Sequence, residues 1–338
     1  MDSWVPYADT CSSVLYLRHK RDSPVRILVL EEFRKPRLDQ LEFMNKKTNL
    51  QGIVLMLSSM CAFALADTLV KIATSFISPA QVLFYLLGGG LVIFALIAKL
   101  NNESLTDARA FSPMLLLRYL TEIVGMLGMV MALANVPISI VGAITQASPI
   151  LATVGAVIFL KENVGWRRWC SIIIGFLGVL LIVQPGASGF DLAVLWALLA
   201  MVALSIRDLS TRLIPKDIPS ASLATYTMAA AVPFTIAWVL FNGESLLPAQ
   251  INWFVILPMA LLGSMGYMLL IAALRSAEVS IVMPFRYSRI LFLLVIGVLV
   301  FDEKPSEMML IGAILIIGSG TYMMWREQQM KKKGSDSV

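Results

Sequence analysis

Residues 132–141 read Ala-Leu-Ala-Asn-Val-Pro-Ile-Ser-Ile-Val, and residues 273–282 read Ala-Leu-Arg-Ser-Ala-Glu-Val-Ser-Ile-Val. The two stretches align without a gap at an offset of 141 residues. At the same offset Lys161-Glu162 falls on Asp302-Glu303, and each pair ends a long apolar run. Apolar matches between two helices carry little weight. The shared Ala-Leu, the shared Ser-Ile-Val and the terminal Glu indicate an internal repeat.

The composition predicts a membrane protein. Of the 338 residues, 58% are hydrophobic and 14% are charged, whereas soluble domains have about 45–50% apolar and about 25% charged residues. A core surrounded by water stops growing at roughly 250–300 residues, so one such core cannot bury this apolar excess. The composition therefore argues against a soluble enzyme.

The rare residue types exclude several kinds of site. The chain has one histidine, His19, and three cysteines, Cys11, Cys61 and Cys170. This set supplies neither a Cys/His metal site nor a disulfide framework, and no Walker, zinc or dinucleotide motif occurs. We therefore expect no catalytic residue, metal, cofactor or nucleic-acid partner, and any uphill transport would use an ion gradient or solute exchange.

Ten apolar runs of membrane-spanning length follow residue 49. A bilayer core requires about 20 apolar residues per helix, and each run must be helical because backbone amides in hydrocarbon have no water to bond. The predicted spans are 50–74, 79–99, 112–134, 138–160, 167–185, 192–213, 220–241, 253–275, 279–301 and 307–325.

Positive charge predicts the orientation of these spans. With the start of the first span in the cytoplasm, fourteen of the Lys and Arg residues after position 43 fall in cytoplasmic segments, five lie within spans and only Lys304 falls outside. Such a bias is the usual one, and it places both termini in the cytoplasm. Because each half has five spans, the second half enters the bilayer from the opposite side. Inverted repeats around a midplane site are a recurrent architecture of secondary transporters.

The predicted organisation has four parts. Residues 1–49 form a polar, disordered leader in which Met44 is a candidate true start, with a regulatory tail as the alternative. Residues 50–186 form the first repeat and residues 187–325 the second. Residues 326–338 form a basic cytoplasmic tail.

Several motifs resemble those of one transporter family. In the first half they are Gln146-Ala147-Ser148-Pro149-Ile150, Leu160-Lys161-Glu162, Gly175-Phe176-Leu177-Gly178-Val179 and Gln184-Pro185-Gly186. In the second half they are Phe301-Asp302-Glu303-Lys304-Pro305 and Ile311-Gly312-Ala313. Together these motifs resemble the two repeats of the EamA family, within the drug/metabolite transporter superfamily. The resemblance implies an all-α membrane protein of ten helices in two inverted five-helix repeats, which moves small organic solutes by alternating access.

A narrower likeness concerns the solute. Arg207-Asp208-Leu209-Ser210-Thr211-Arg212 together with Pro284-Phe285-Arg286-Tyr287-Ser288-Arg289 resembles family members associated with riboflavin uptake in bacteria. This likeness implies a carrier of riboflavin or a similar aromatic or anionic solute in the bacterial inner membrane. Related members carry other solutes, so an exporter of amino-acid-like metabolites or drugs is the alternative.

Ionisable groups in the ninth span predict a solute site. Charges at membrane depth are costly and usually mark a pathway or an ion pair. Arg286 and Arg289 lie three residues apart near the middle of this span, so they share a helix face. We predict that both bind the solute, together with the residues adjacent to them and those at the matching repeat positions, namely Phe285, Tyr287, Thr145 and Gln146. The alternative is that the arginines form structural ion pairs.

Further charges lie in other spans. Asp67 precedes Lys71 by four residues, and Arg118 precedes Glu122 by four, a spacing that permits pairing along one helix. Asp67, Glu122 and Arg118 are therefore candidates for ion pairing or proton coupling. Arg207 and Asp208 could form a gate contact, and the aromatic residues Tyr85, Tyr119, Tyr226, Tyr267 and Trp238 could line a cavity or anchor the interface.

Two functions of other classes are alternatives to a carrier. An intramembrane lipid enzyme would require clustered catalytic groups at one interface, which the sequence lacks. A non-transporting sensor would explain the polar leader but not the midplane arginines. A monomer suffices for transport, and a homodimer is the alternative.

Overall fold

A computed structural model describes residues 50–105, 107–160, 166–184, 191–211, 213–214, 218–276 and 282–335. Several predicted features lie outside the described residues. They are the leader 1–49 with Met44, the Lys161-Glu162 motif, Pro185-Gly186, Arg212, Lys216 and the start of the ninth span at 279–281.

The described chain is helical, with no strand in those residues. The helices are α1 (Leu50–Ala73), α2 (Pro79–Leu100), α3 (Pro113–Asn135), α4 (Ile138–Thr145), α5 (Ser148–Leu160), α6 (Trp166–Val183), α7 (Val194–Thr211), α8 (Ser220–Phe241), α9 (Trp253–Ser276), α10 (Ser288–Phe301) and α11 (Glu307–Ser335). Short 3₁₀ segments, Ala108–Phe111 and Met283–Tyr287, precede α3 and α10.

The membrane spans agree with the prediction. Eight segments of the described chain are long and apolar enough to cross a bilayer, and shorter apolar helices at Trp169–Val183 and Glu307–Met323 bring the number to ten. The fourth span combines α4 with the start of α5, and the ninth combines the 3₁₀ segment with α10. The prediction of an all-α membrane protein with ten spans in two repeats is therefore confirmed. The last helix continues to Ser335, beyond the predicted span end at 325.

Local sequence explains where the second span begins. Ser78 is the N-cap of α2, where its hydroxyl accepts a hydrogen bond from the Gln81 N–H at 3.2 Å. The Gln81 side chain in turn accepts from the Ser78 N–H at 3.0 Å. Pro79 occupies the first turn, where its missing N–H is not needed. This capping box satisfies two amides that the helix itself leaves unpaired.

The 141-residue offset also holds for the helices themselves. It relates α2, residues 79–100, to α8, residues 220–241, and it relates the first residue of α6 to that of α11. Just after α2 and α8, the equivalent residues Asn102 and Gly243 both have positive φ angles, of 55° and 72°. Left-handed residues commonly end helices in this way. The sequence repeat is thus a structural repeat.

Two equivalent glutamates show that the repeats run in opposite senses. Glu103 follows the end of α2 and accepts from the N–H and the hydroxyl of Ser222, both at 2.9 Å, in the first turn of α8. Glu244 follows the end of α8 and accepts from the hydroxyl of Ser78, the N-cap of α2. Each helix therefore ends where the other begins. The pair is antiparallel, as inverted repeats require.

A third glutamate connects the repeats at α4. Glu303 follows α10, and its carboxylate accepts from the Ile138 N–H at 2.5 Å and from the N–H and hydroxyl of Ser139 at 3.1 and 2.6 Å. A carboxylate at a helix N-terminus satisfies unpaired amides and complements the helix dipole. Lys71 lies nearby and donates to the carbonyls of Leu133 and Val136 at 3.0 and 2.7 Å, at the end of α3.

The fourth and ninth spans are not continuous helices, contrary to the prediction for 138–160 and 279–301. The α-helix is interrupted between Thr145 and Ser148, and the ninth span contains the 3₁₀ segment Met283–Tyr287. Pro149 has no N–H to donate to the Thr145 carbonyl, and Pro284 likewise removes a donor. The Gln146 side chain donates to the Arg286 carbonyl at 2.6 Å, so the two interruptions contact each other.

Glycine allows α6 and α11 to pack closely. A Cβ added to Gly312 would lie 2.6 Å from the Gly178 carbonyl oxygen, and one added to Gly178 would lie 2.8 Å from the Gly312 oxygen. Both distances are too short for a real contact, and both atoms belong to the backbone. Small residues of this kind permit close helix approach in membranes.

This contact predicts a stability difference between two glycines of α11. Gly312→Ala should lower the free energy of unfolding by about 1–3 kcal/mol because the added methyl group forces the helices apart. Gly318→Ala is the matched control, since nothing lies within 4 Å of its added Cβ. It should leave stability unchanged or raise it by up to about 1 kcal/mol, because Ala favours a helix over Gly. Thermal unfolding in detergent measures both, and equal melting temperatures would contradict this packing.

Candidate functional site

A cavity of about 210 Å³, with ionisable residues in a largely apolar wall, lies between helices of both repeats. Its walls come from α1, α2, α3, α7, α8, α9 and α10 and from the interruptions in the fourth and ninth spans. The polar and charged residues of the wall are Asp67, Arg118, Glu122, Thr145, Gln146, Ser148, Arg207, Thr227, Ser264, Arg286 and Arg289. Because ionisable groups within membrane spans are rare and usually functional, this cavity is the candidate site.

The first ion pair joins α1 to α10. Arg289 donates to Asp67 Oδ2 from Nη2 at 2.5 Å and from Nε at 3.1 Å. Both side chains are largely buried, with 20% of Arg289 and 10% of Asp67 exposed. The guanidinium also lies 5.3 Å from the centre of the Phe63 ring. Arg289 thus has a carboxylate and an aromatic partner within the protein.

The second ion pair is a cluster of three groups. Arg207 on α7 donates from Nη1 to Glu122 Oε1 on α3 at 3.1 Å. It also donates from Nη2 to Asp208 Oδ1 at 2.7 Å. One guanidinium is therefore held by two carboxylates, which carry one negative charge more than it can balance. The Arg207–Asp208 contact considered from the sequence is present, and Glu122 is its third member.

Arg118 has neutral partners instead. It is 5% exposed, and it donates from Nε to the Thr211 hydroxyl at 3.0 Å and from Nη1 to the Thr227 hydroxyl at 2.7 Å. Within the described ranges no carboxylate lies within ion-pair distance of Arg118. Its charge is consequently not neutralised by a direct contact in this part of the chain.

Arg286 is held through its backbone. Its carbonyl accepts the hydrogen bond from Gln146, while Arg286 lines the cavity and its guanidinium has no hydrogen-bond partner among the residues described. Thr145 also lines the cavity, but its hydroxyl donates to the Val141 carbonyl at 2.8 Å within α4. The structure therefore brings four predicted site residues to one wall: Arg286, Arg289, Thr145 and Gln146.

Phe285 and Tyr287 lie elsewhere, which corrects their predicted place in the site. Tyr287 is 2% exposed and packs against Gly320 of α11, and Phe285 packs against a buried cluster that includes Met56 and Met60. Arg286 belongs to the 3₁₀ segment and Arg289 to the first turn of α10, and both line the cavity. Adjacent residues of either helix type are rotated by about 100–120°, so the neighbours of Arg286 point in other directions.

The ion pairs that the four-residue spacing permits along single helices are not formed. Asp67 pairs with Arg289 rather than Lys71, which instead donates to backbone carbonyls at the end of α3. Glu122 pairs with Arg207 rather than Arg118. The spacing of four residues puts two groups on one face, but partners from neighbouring helices approach more closely.

Other aromatic side chains line the cavity in place of Phe285 and Tyr287. They are Phe63, Phe94 and Tyr267, and the last two pack edge to face with ring centres 5.3 Å apart. The sequence interpretation included Tyr267 among candidate cavity residues and missed both phenylalanines. The offset of 141 residues was a further unused signal, because it relates Asp67 to Asp208.

Comparison with known families identifies both halves. The profile described as "EamA-like transporter family" matches residues 50–184 and again residues 191–325. The two matches are themselves related by the 141-residue offset. One solved structure matches with a TM-score of 0.56 and 15% sequence identity, over 85% of this chain and 99% of the other. That likeness concerns the fold alone.

Three similar proteins have named activities. The S-adenosylmethionine uptake transporter of Rickettsia conorii is 22% identical over 86% of this chain and 98% of its own length. The riboflavin transporter of Vibrio cholerae is 25% identical over 84% of this chain and 96% of its own. The pseudopaline exporter of Pseudomonas aeruginosa is 25% identical over 79% of this chain and 93% of its own.

The Asp67–Arg289 pair predicts a measurable coupling energy. Asp67→Asn should lower the free energy of unfolding by about 3 kcal/mol because it leaves a largely buried guanidinium without its carboxylate. The double variant with Arg289→Gln should lose less than the sum of the single variants, by about 1–3 kcal/mol. Denaturation in mixed micelles measures this cycle.

Asp302→Asn is the matched control for this cycle. Asp302 is exposed, and its φ of 53° is one that Asn adopts readily. We expect a change below about 0.5 kcal/mol. Additive losses in the double variant would show that the two side chains do not stabilise each other.

Proposed function

Because the chain belongs to the EamA-like transporter family and is a multi-pass transporter of small metabolites, we propose that it is a secondary carrier working by alternating access. One observation carries the proposal: a charged cavity lies within the membrane-spanning region and both repeats contribute to its wall. We further propose that the protein resides in a bacterial inner membrane with both termini in the cytoplasm. A single chain encloses the cavity, so a monomer suffices.

The arrangement of the repeats supports this mechanism. Two inverted halves can exchange conformations, so that a central site opens to either face in turn. The interruptions in the fourth and ninth spans place backbone without continuous α-helical bonding beside the cavity, as in other carriers. Contacts between the halves, such as Glu303 with the start of α4, involve residues that do not line the cavity, and they would form and break during the cycle.

The cavity wall supports an aromatic solute with a polar or anionic group. Phe63, Phe94 and Tyr267 offer ring faces and edges for stacking. Arg286 offers guanidinium donors that no described residue occupies. We propose Arg286, Thr145 and Gln146 as solute-contacting residues, with Arg289 held in place by Asp67. Asp67 and Glu122 remain the proposed candidates for proton coupling, since each is a carboxylate inside the membrane.

Named relatives suggest the first solutes to test. Riboflavin and S-adenosylmethionine both contain an aromatic ring system, and relatives named as transporters of them match most of this chain. The pseudopaline exporter supports outward transport as a second candidate direction. Uptake and efflux in proteoliposomes with a panel of vitamins and metabolites distinguish the two directions. Binding without flux in either direction would indicate a non-transporting sensor.

Arg286 provides the test of the site. Arg286→Gln should reduce transport roughly tenfold or more, because a charged hydrogen bond contributes about 1.5–3 kcal/mol. The amount of folded protein in the membrane should stay the same, since this guanidinium has no partner among the described residues. Initial rates in proteoliposomes measure the loss.

Arg167→Gln is the matched control for this variant. Arg167 is exposed at the start of α6, where it lies over the Trp166 ring and away from the cavity. Its replacement should leave the initial rate within about a factor of two of wild type, as for surface changes in general. Equal rates in the Arg286 variant and wild type would remove Arg286 from the site.

A further inference from the structure

The arginines and carboxylates of the cavity do not balance. Four arginines, Arg118, Arg207, Arg286 and Arg289, face the cavity. Asp67 neutralises Arg289, while Glu122 and Asp208 both bond to Arg207. Among the described residues this leaves Arg118 and Arg286 without a direct carboxylate. Together, these seven groups carry a net charge of +1.

We propose that Arg118 and Arg286 form a binding subsite for a single anionic group, a carboxylate, of the transported solute. This inference deepens the proposed function, on which it rests, by assigning a charge class to the solute and a role to Arg118. The site takes an aromatic or apolar body against its rings and one carboxylate against these two guanidiniums.

The surroundings of Arg118 support a bound anion. The Thr211 and Thr227 hydroxyls that receive its hydrogen bonds themselves donate to the carbonyls of Arg207 and Leu223, at 2.7 and 2.8 Å. Their lone pairs are therefore directed to the guanidinium, which is held in one orientation. A guanidinium has five N–H donors, and the threonines use two of them. A buried charge is stable when it is paired, and hydroxyl groups do not supply the opposite charge.

Arg286 completes the subsite from the other repeat. Gln146 holds the Arg286 carbonyl by a hydrogen bond, and Arg286 lines the same cavity as Arg118. Arg118 and Arg286 share the cavity wall with Arg207, whose two carboxylate partners carry one negative charge in excess. The excess negative charge of the Arg207 cluster therefore offsets one of the two positive charges. The remaining +1 fits a carboxylate better than a phosphate dianion.

The position of the two arginines has a mechanistic consequence. Arg118 belongs to α3 in the first repeat, and Arg286 belongs to the ninth span in the second. A carboxylate bound by both would connect the two halves directly. Guanidinium–carboxylate bonds are strong and directional, so the bound anion would stabilise conformations in which both arginines reach it.

Pairs of ligands that differ by one anionic group test this proposal. The probes are S-adenosylmethionine and its decarboxylated form, which lacks only the carboxylate, and flavin mononucleotide and riboflavin, which differ by a phosphate. Binding is measured on the full-length protein in nanodiscs. Wild type should bind S-adenosylmethionine at least tenfold more tightly than the decarboxylated form. The flavin pair should show a smaller preference, and a larger preference there would show that the site takes phosphate instead.

Substitutions identify the residues responsible for this preference. Arg118→Gln and Arg286→Gln should each bring the affinity ratio within about twofold, and Arg118→Lys should retain part of it because it retains the charge. The ratio is insensitive to partial unfolding, which lowers both affinities equally. Arg167→Gln should keep the wild-type ratio.

The outcomes separate this proposal from the proposed function. A wild-type protein with no preference for S-adenosylmethionine over its decarboxylated form, through equal affinity or no binding of either, overturns the subsite. So does an unchanged ratio in both glutamine variants, even where transport of another solute persists. Binding with the expected ratios but no flux of any panel solute supports the subsite and contradicts the carrier mechanism.

Discussion

A guanidinium group cannot lie within a bilayer unless acceptors, an opposite charge or water surround it. The fold meets this requirement differently for each arginine. Arg289 pairs with Asp67, Arg207 bonds to two carboxylates and Arg118 to two hydroxyls, while Arg286 faces the cavity. These contacts connect α1, α3, α7, α8 and α10 around one space. The cavity and the charges on its wall therefore depend on each other.

The sequence was sufficient for the spans and the repeat because both follow from regular chemistry. The length of an apolar run predicts a membrane span, and the 141-residue offset of the sequence repeat also relates the first and last residues of α2 to those of α8. The sequence did not show which charged residues pair with each other. The spacing of Asp67 and Lys71 shows that they share a face, but it does not show which helix packs opposite. Tyr287 was assigned to the site because it is adjacent to Arg286 in the sequence, but adjacent residues of a helical segment point in different directions, and this side chain packs against Gly320.

The two repeats have the same helix arrangement but differ in the contacts of their charged residues. Glu103 and Glu244 each bond to the start of the partner helix, at opposite ends of the α2–α8 pair. Asp67 and Asp208 also occupy equivalent positions, yet Asp67 pairs with the opposite repeat and Asp208 with its own neighbour Arg207. Helix packing thus follows the pseudo-symmetry, whereas the site does not. An asymmetric solute requires this, since a symmetric cavity would offer its two ends the same groups.

The bonds from Glu303 to α4 have a consequence for biosynthesis. The backbone N–H of Ile138 donates to a carboxylate 165 residues further along the chain, so this bond cannot form until that residue has been synthesised. At roughly 5–20 residues per second, a ribosome needs on the order of 10–30 s to make that segment. During this interval an eight-residue helix must remain at the membrane with its first amides unpaired or hydrated. The nascent first half therefore cannot reach its final structure until the ninth span has left the ribosome.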